Sequence, residues 1–149
     1  MPTASAGVVV DAPRQAVFAY VNEWSHATEY THDLVKWLPL TEQKAGLGAR
    51  FDAAMKMGPT TQQSTLEITR WEQDAAIGWE PRDGFSQRGL YEFADGAGGT
   101  AVTLTIEFDL PGGLAGRLLG KTIEPVARQN VAKTVEKLKR AVEEQVGRR

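Results

Sequence analysis

The sequence predicts an α+β fold in which a strongly curved antiparallel sheet of about seven strands wraps around one long C-terminal helix and leaves a cavity between them. The first observation is an apolar stripe with helical spacing in the last third of the chain, formed by Val131, Val135, Leu138, Val142 and Val146. The second is that most of the preceding chain reads as strands joined by turns too short for parallel crossovers. The stripe therefore needs a sheet as its partner.

The chain begins with a strand that leads into a short helix. Residues 5–10 are apolar and partly β-branched, and Asp11-Ala12-Pro13 ends the strand. Asp11 is suited to cap the helix, and Pro13 is suited to its first turn. Apolar residues recur every three or four positions over residues 14–24, so this helix packs one face, and a second short helical piece is expected over residues 25–30.

Six further strands follow, and alternation assigns each of them an inner and an outer face. The strand-like runs are 34–42, 49–57, 61–73, 75–82, 85–94 and 100–110. The residues predicted to face inward are Phe51, Ala53, Met55, Met57, Ile77, Trp79, Phe85, Gln87, Gly89, Tyr91, Phe93, Val102, Leu104, Ile106 and Phe108. Glu67, Glu80, Arg88 and Glu107 are predicted to pair across strands on the outer face. A one-residue shift in register would instead turn Arg88 and Glu80 inward.

The C-terminal helix is predicted to follow Pro111-Gly112-Gly113 and to be interrupted at Pro125. A proline inside a helix removes a backbone donor and crowds the preceding turn, so a kink or a new segment is expected there. Leu114, Leu118, Leu119 and Ile123 would then form a separate apolar flap at one end of the cavity.

Composition restricts the classes of function. The chain has 149 residues, a formal net charge of -2 and no cysteine. The charge leaves no basic stripe for nucleic acid, and the lack of cysteine excludes disulfides and thiolate metal sites. No run approaches about 18 apolar residues, so membrane insertion is not expected. We expect a single cytoplasmic domain over residues 1–149, without a cofactor or a metal; a homodimer is left open.

Four stretches of the chain resemble a known superfamily. They are Val10-Asp11-Ala12-Pro13 followed by Val17-Phe18 and Val21, Gly46–Phe51, Gly99–Thr103, and Pro111-Gly112-Gly113. In this order they resemble the helix-grip (START/Bet v 1-like, SRPBCC) superfamily over essentially the whole chain, and most of all its polyketide cyclase/dehydrase-like branch. The resemblance implies a cavity under the long helix that takes a hydrophobic or aromatic small molecule, which some members cyclise or dehydrate.

The candidate site residues lie on the predicted inner face and on the flap. The predicted ligand-binding residues are Met55, Met57, Trp79, Gln87, Tyr91, Phe108, Leu118 and Ile123. As an alternative, these aromatic and methionine side chains belong to an ordinary hydrophobic core. Tyr91, His26 and His32 are candidates for catalysis, because a hydroxyl can polarise a carbonyl and a histidine can act as a base. The polar residues around the histidines favour the alternative that both are surface loop residues, and their spacing matches no metal motif.

Three functions follow from these patterns. The leading hypothesis is binding of a hydrophobic or aromatic small molecule, lipid or polyketide-like, in the internal cavity. The first alternative is an enzyme that cyclises or dehydrates a polyketide-like aromatic substrate. The second alternative is a protein-interaction module that uses the sheet edge or the flap and has no functional cavity.

Overall fold

The computed structural model describes residues 3–57, 59–109 and 113–147, and the side chains of these residues except 57 and 109–124. Its strands and helices follow the predicted order. They are β1 (Thr3–Val10), α1 (Arg14–Asn22), a 3₁₀ turn (Trp24–His26), α2 (Ala27–Tyr30), β2 (Leu34–Pro39), β3 (Arg50–Met57), β4 (Thr60–Glu72), β5 (Ala76–Gly84), β6 (Ser86–Gly96), β7 (Gly99–Asp109) and α3 (Gly113–Gly147).

The strands form one seven-stranded sheet in the order β1-β7-β6-β5-β4-β3-β2, with every neighbouring pair antiparallel. β2 to β7 follow one another as a meander, and β1 pairs with β7. Register shifts interrupt the pairing of β2 with β3 near Lys36 and the pairing of β4 with β5 near Leu66 and Arg70. Such bulges bend a strand and increase its twist, which favours a curved sheet. The predicted fold class is confirmed.

α3 lies on the sheet through the predicted stripe. Val135, Leu138 and Val142 are at most 2% exposed, and Val131 is also buried. They join one core with Val10, Val102 and Leu104 of the sheet and Phe18 of α1. Val146 is partly buried at the edge of this core. The amphipathic pattern therefore predicted the helix face correctly.

Charge pairs lie on the outer face of the sheet, as predicted. Glu67 accepts hydrogen bonds from Arg50 at 2.7 Å and from Arg82 at 3.0 Å. Arg88 lies 3.8 Å from Glu80. Arg88 and Glu80 therefore do not turn into the cavity, and the alternative register is excluded. Within the described part of the chain, no helix is both long enough and apolar enough to span a membrane.

The prediction that Asp11 caps the first helix is wrong. α1 begins at Arg14 directly after the extended residue Pro13, and no side chain caps it. Asp11 lies too far upstream to occupy the cap position, from which a side chain reaches the first free N–H groups. Its own backbone N–H donates instead to Glu143 of α3 at 2.8 Å.

The new helical segment predicted at Pro125 is absent, because α3 is a single helix from Gly113 to Gly147 that contains Pro125, and a kink there stays a prediction. A proline interrupts one backbone hydrogen bond, whereas the stripe beyond it anchors several turns to the sheet. The side chains of the predicted flap, Leu114, Leu118, Leu119 and Ile123, lie outside the described part of the structure. The interaction-module hypothesis, where it uses this flap, therefore stays a prediction.

Candidate functional site

A cavity of about 130 Å³ lies between the concave face of the sheet and α3. Its wall is mainly apolar and includes Trp37, Phe51, Met55, Leu66, Ile68, Trp79, Phe85, Tyr91, Leu104, Ile106 and Phe108 of the sheet and Val131 of α3. An engineered apolar cavity of about 150 Å³ is large enough to bind benzene. The cavity of this protein therefore has the size of a compact ring compound.

Met55, Trp79, Gln87, Tyr91 and Phe108 line this cavity, as the strand alternation places them. Their role in ligand binding stays a prediction. The predicted ligand contacts of Met57, Leu118 and Ile123 rest on side chains that lie outside the described part of the structure.

Aromatic rings form a continuous wall across the sheet. Trp37 stacks on Phe51 with ring centroids 4.7 Å apart, and it meets Trp79 edge-on at 6.2 Å. Trp79 in turn lies 6.0 Å from Tyr91. Aromatic faces and edges attract other aromatic rings in offset or edge-to-face geometry, so this wall favours a flat unsaturated ligand. Sequence analysis did not include Trp37 in the site, although its position in a predicted strand gave a usable signal.

The indole of Trp79 occupies space that Gly89 leaves open. The two residues are paired across β5 and β6. A Cβ atom at position 89 would lie 2.5 Å from Cε2 of Trp79 and closer still to its Cζ2, and 2.8 Å from Cδ1 of Ile106. The missing side chain therefore allows the indole to lie over β6. In this position its Nε1 donates to Oε1 of Gln87 at 2.8 Å.

Tyr30 and Tyr91 are buried residues whose hydroxyl groups belong to the cavity wall. Their side chains are 3% and 4% exposed. Neither hydroxyl has a hydrogen-bond partner among the described residues, and both residues line the cavity. Burial raises the pKa of Tyr91 well above its ordinary value, and the Tyr30 phenol adds to this effect; burial also raises the pKa of Tyr30. Both groups are therefore neutral hydrogen-bond donors near neutral pH. Sequence analysis missed Tyr30, which ends a helix of only four residues.

We expect the native protein to resist ionisation of its tyrosines. The pKa values of Tyr20, Tyr30 and Tyr91 are all raised, mainly by burial. Folding thus favours the protonated phenols, so this contribution to stability is fully present below the unfolded pKa of about 10 and is lost as pH rises through the folded values. Phenolate absorbance should appear at higher pH in native than in denatured protein. Tyr91→Phe should reduce the phenolate absorbance that appears at the highest pH. Coincident titration curves for native and denatured protein would contradict the burial of these tyrosines.

The two histidines occupy different environments. His26 is not among the residues that line the cavity: its ring stacks on Tyr20 at 4.0 Å, with Nδ1 2.9 Å from the Tyr20 carbonyl oxygen. The His26 ring thus packs against α1, and a catalytic role for it stays a prediction. His32 does line the cavity. Its Nδ1 lies 3.2 Å from Nζ of Lys137, and its backbone N–H donates to Thr134 at 2.9 Å.

The described side chains show no group of three or more His, Asp or Glu residues that could hold a metal ion. The chemistry that the described part of this wall offers is therefore apolar contact, aromatic stacking and hydrogen bonding, mostly from neutral groups, together with the Lys44 ammonium group and the His32 imidazole.

Comparison with known proteins agrees with this geometry. Residues 1–143 match the family model described as polyketide cyclase/dehydrase and lipid transport. The chain belongs to this family. No protein of curated function matches the sequence.

Solved structures support the same fold for this family member at low sequence identity. TTHA0849 from Thermus thermophilus is 19% identical with a TM-score of 0.82, over 95% of this chain and 97% of that one. The Zhui aromatase/cyclase from Streptomyces sp. R1128 is 14% identical with a TM-score of 0.81, over 97% and 94%. A START superfamily protein from Mycobacterium smegmatis is 16% identical with a TM-score of 0.64, over 96% and 98%. At these identities the likeness concerns the fold alone.

Proposed function

We propose that the protein binds a hydrophobic or aromatic small molecule, lipid or polyketide-like, in the cavity between the sheet and α3. The observation that carries this proposal is the mainly apolar cavity of about 130 Å³ with its wall of neighbouring aromatic rings. Removal of apolar ligand surface from water supplies the driving force, at roughly 25 cal/mol per Å². The description of the family names lipid transport, which supports the same class of occupant.

A larger side chain inside the cavity should weaken this binding. Ala53 is 4% exposed and lines the cavity, so Ala53→Leu places additional carbon atoms inside it. We expect bicyclic aromatic compounds and short lipids to quench or shift the tryptophan fluorescence of the wild type, because Trp37 and Trp79 lie in the wall. We expect Ala53→Leu to weaken this binding at least about tenfold, which corresponds to about 1.4 kcal/mol.

Ala132→Leu is the matched control, since Ala132 is exposed on α3 and lies outside the cavity wall. It makes the same chemical change and should bind as the wild type does. Equal loss of binding in both variants, or wild-type binding by Ala53→Leu, would contradict a ligand site in this cavity.

An enzyme that cyclises or dehydrates an aromatic polyketide-like substrate is the second candidate. It is supported by the neutral hydroxyl of Tyr91 inside the cavity, which could polarise a bound carbonyl, and by His32 in the wall, which could accept a proton. The compounds that bind should then be recovered with a new ring or with the loss of one water, as mass spectrometry detects. Compounds recovered unchanged at full occupancy would leave binding as the function.

A further inference from the structure

Two tryptophan side chains donate to side-chain amides in the cavity wall. Nε1 of Trp79 donates to Oε1 of Gln87 at 2.8 Å, and Nε1 of Trp71 donates to Oδ1 of Asn22 at 2.9 Å. All four residues line the cavity. The same donor and the same acceptor type therefore occur at two places on one wall.

The chemistry of indole decides how each amide is oriented. An indole N–H can only donate, so the amide must present its oxygen to the tryptophan and turn its NH₂ group elsewhere. The NH₂ group of Gln87 has only a weak acceptor, Sδ of Met55, at 3.6 Å. The NH₂ group of Asn22 has no hydrogen-bond partner among the described residues. In each pair the indole N–H thus uses the amide oxygen, and the amide NH₂ group stays available to donate to a bound molecule.

The two pairs lie toward opposite ends of the cavity. Tyr91 pairs with Ile77, and Ile77 pairs with Trp71, so Asn22 belongs to the Tyr91 end. Gln87 precedes Tyr91 by four residues along β6, a distance of about 13 Å in an extended strand. Gln62 differs, since its NH₂ group donates to Thr60 at 3.2 Å in an exposed contact.

We propose that the occupant is a compact unsaturated compound with an uncharged carbonyl oxygen, as in a ketone, quinone or ester, and that Gln87, oriented by Trp79, donates to this oxygen. Asn22 offers a second donor to an occupant long enough to carry a second oxygen at the other end. A carboxylate suits the place beside Gln87 less well, because the side chains that contact this amide, Trp79 and Met55, are uncharged and burial of an unpaired charge is costly. This inference rests on the proposed binding function.

The test compares ligands that share one bicyclic skeleton. 1-Tetralone carries a ketone, tetralin lacks it, and tetralin-1-carboxylate carries a charge. We expect isothermal titration calorimetry on the wild type to show 1-tetralone binding about five- to tenfold tighter than tetralin, as one hydrogen bond provides, and the carboxylate binding more weakly than the ketone.

Gln87→Leu removes the donor and fills its place with a side chain of similar size. This variant should bind 1-tetralone and tetralin equally, with tetralin held at least as tightly as by the wild type. Gln63→Leu on the exposed outer face of β4 is the matched control and should keep the preference for the ketone.

The outcomes separate this inference from the binding function. Equal wild-type affinity for 1-tetralone and tetralin, tighter binding of the carboxylate, or a ketone preference that survives in Gln87→Leu would overturn the donor assignment and leave the binding function intact. Failure of all three compounds to bind would overturn both.

Discussion

Gly89→Ala is expected to displace the Trp79 indole and to impair both stability and ligand binding. The added Cβ would overlap the indole and lie 2.8 Å from Cδ1 of Ile106, and Gly89 sits inside β6 with both neighbouring strands paired to it. Neither the backbone nor the ring can move freely, because overpacking of this kind forces side chains out of their preferred rotamers and typically costs about 1–3 kcal/mol.

Displacement of the indole would also break its hydrogen bond to Gln87 and disturb the aromatic wall between Trp37 and Tyr91. Urea unfolding should therefore show a lower free energy of unfolding, and near-ultraviolet circular dichroism should show an altered tryptophan signal. Affinity for aromatic ligands should fall at least about tenfold, or about 1.4 kcal/mol.

Gly7→Ala provides the control for a glycine in a strand. A Cβ at position 7 of β1 would meet its nearest atom at 3.5 Å, which is an ordinary contact. This variant should be close to wild type in stability and in binding. Normal stability and normal affinity of Gly89→Ala would show that Trp79 does not depend on the open space at position 89.

Leu138→Ala is expected to give the largest loss of stability among changes in α3. Leu138 is fully buried in the core that α3 forms with the sheet, and its neighbours in the stripe, Val135 and Val142, are buried as well. Truncation of a buried leucine removes apolar contacts and leaves a void, at a cost of about 2–5 kcal/mol. The free energy of unfolding should fall by this amount in urea titrations.

A substitution to alanine at an exposed position of α3 provides the control, because it changes helix propensity without removing packing against the sheet. Lys133 is exposed on α3, and Lys133→Ala should change the free energy of unfolding by no more than about 0.5 kcal/mol. A loss below about 1 kcal/mol in Leu138→Ala would show that the contact between helix and sheet is not well packed at this position.

Much of the fold could be predicted from local patterns. Turns such as Gly46-Leu47-Gly48 separate the strands, and both glycines adopt the positive φ that favours glycine. Alternation placed Met55, Trp79, Gln87, Tyr91 and Phe108 on the inner face because side chains in a strand alternate with a period of two. Leu66 and Ile68 of β4 are also buried and line the cavity, although register shifts interrupt the pairing of β4 with β5.

Several site features could not be predicted in this way. His26 and His32 have similar sequence surroundings, yet only His32 lines the cavity, because its loop is held by Thr134 and Lys137 of α3. Tyr30 belongs to a helix too short to show a period, and its burial depends on packing with distant elements.

Spacing between near neighbours in the chain was sufficient to determine the order of the strands and helices, the face that each strand turns inward and the side of α3 that packs on the sheet. The assembled fold was needed to establish which polar groups meet in the cavity and how they are oriented. Trp71 and Asn22 are 49 residues apart, and Trp79 reaches Gln87 across the space left at Gly89. A hydrogen bond between side chains requires positions accurate to a few tenths of an ångström, which only the packed sheet and helix can provide.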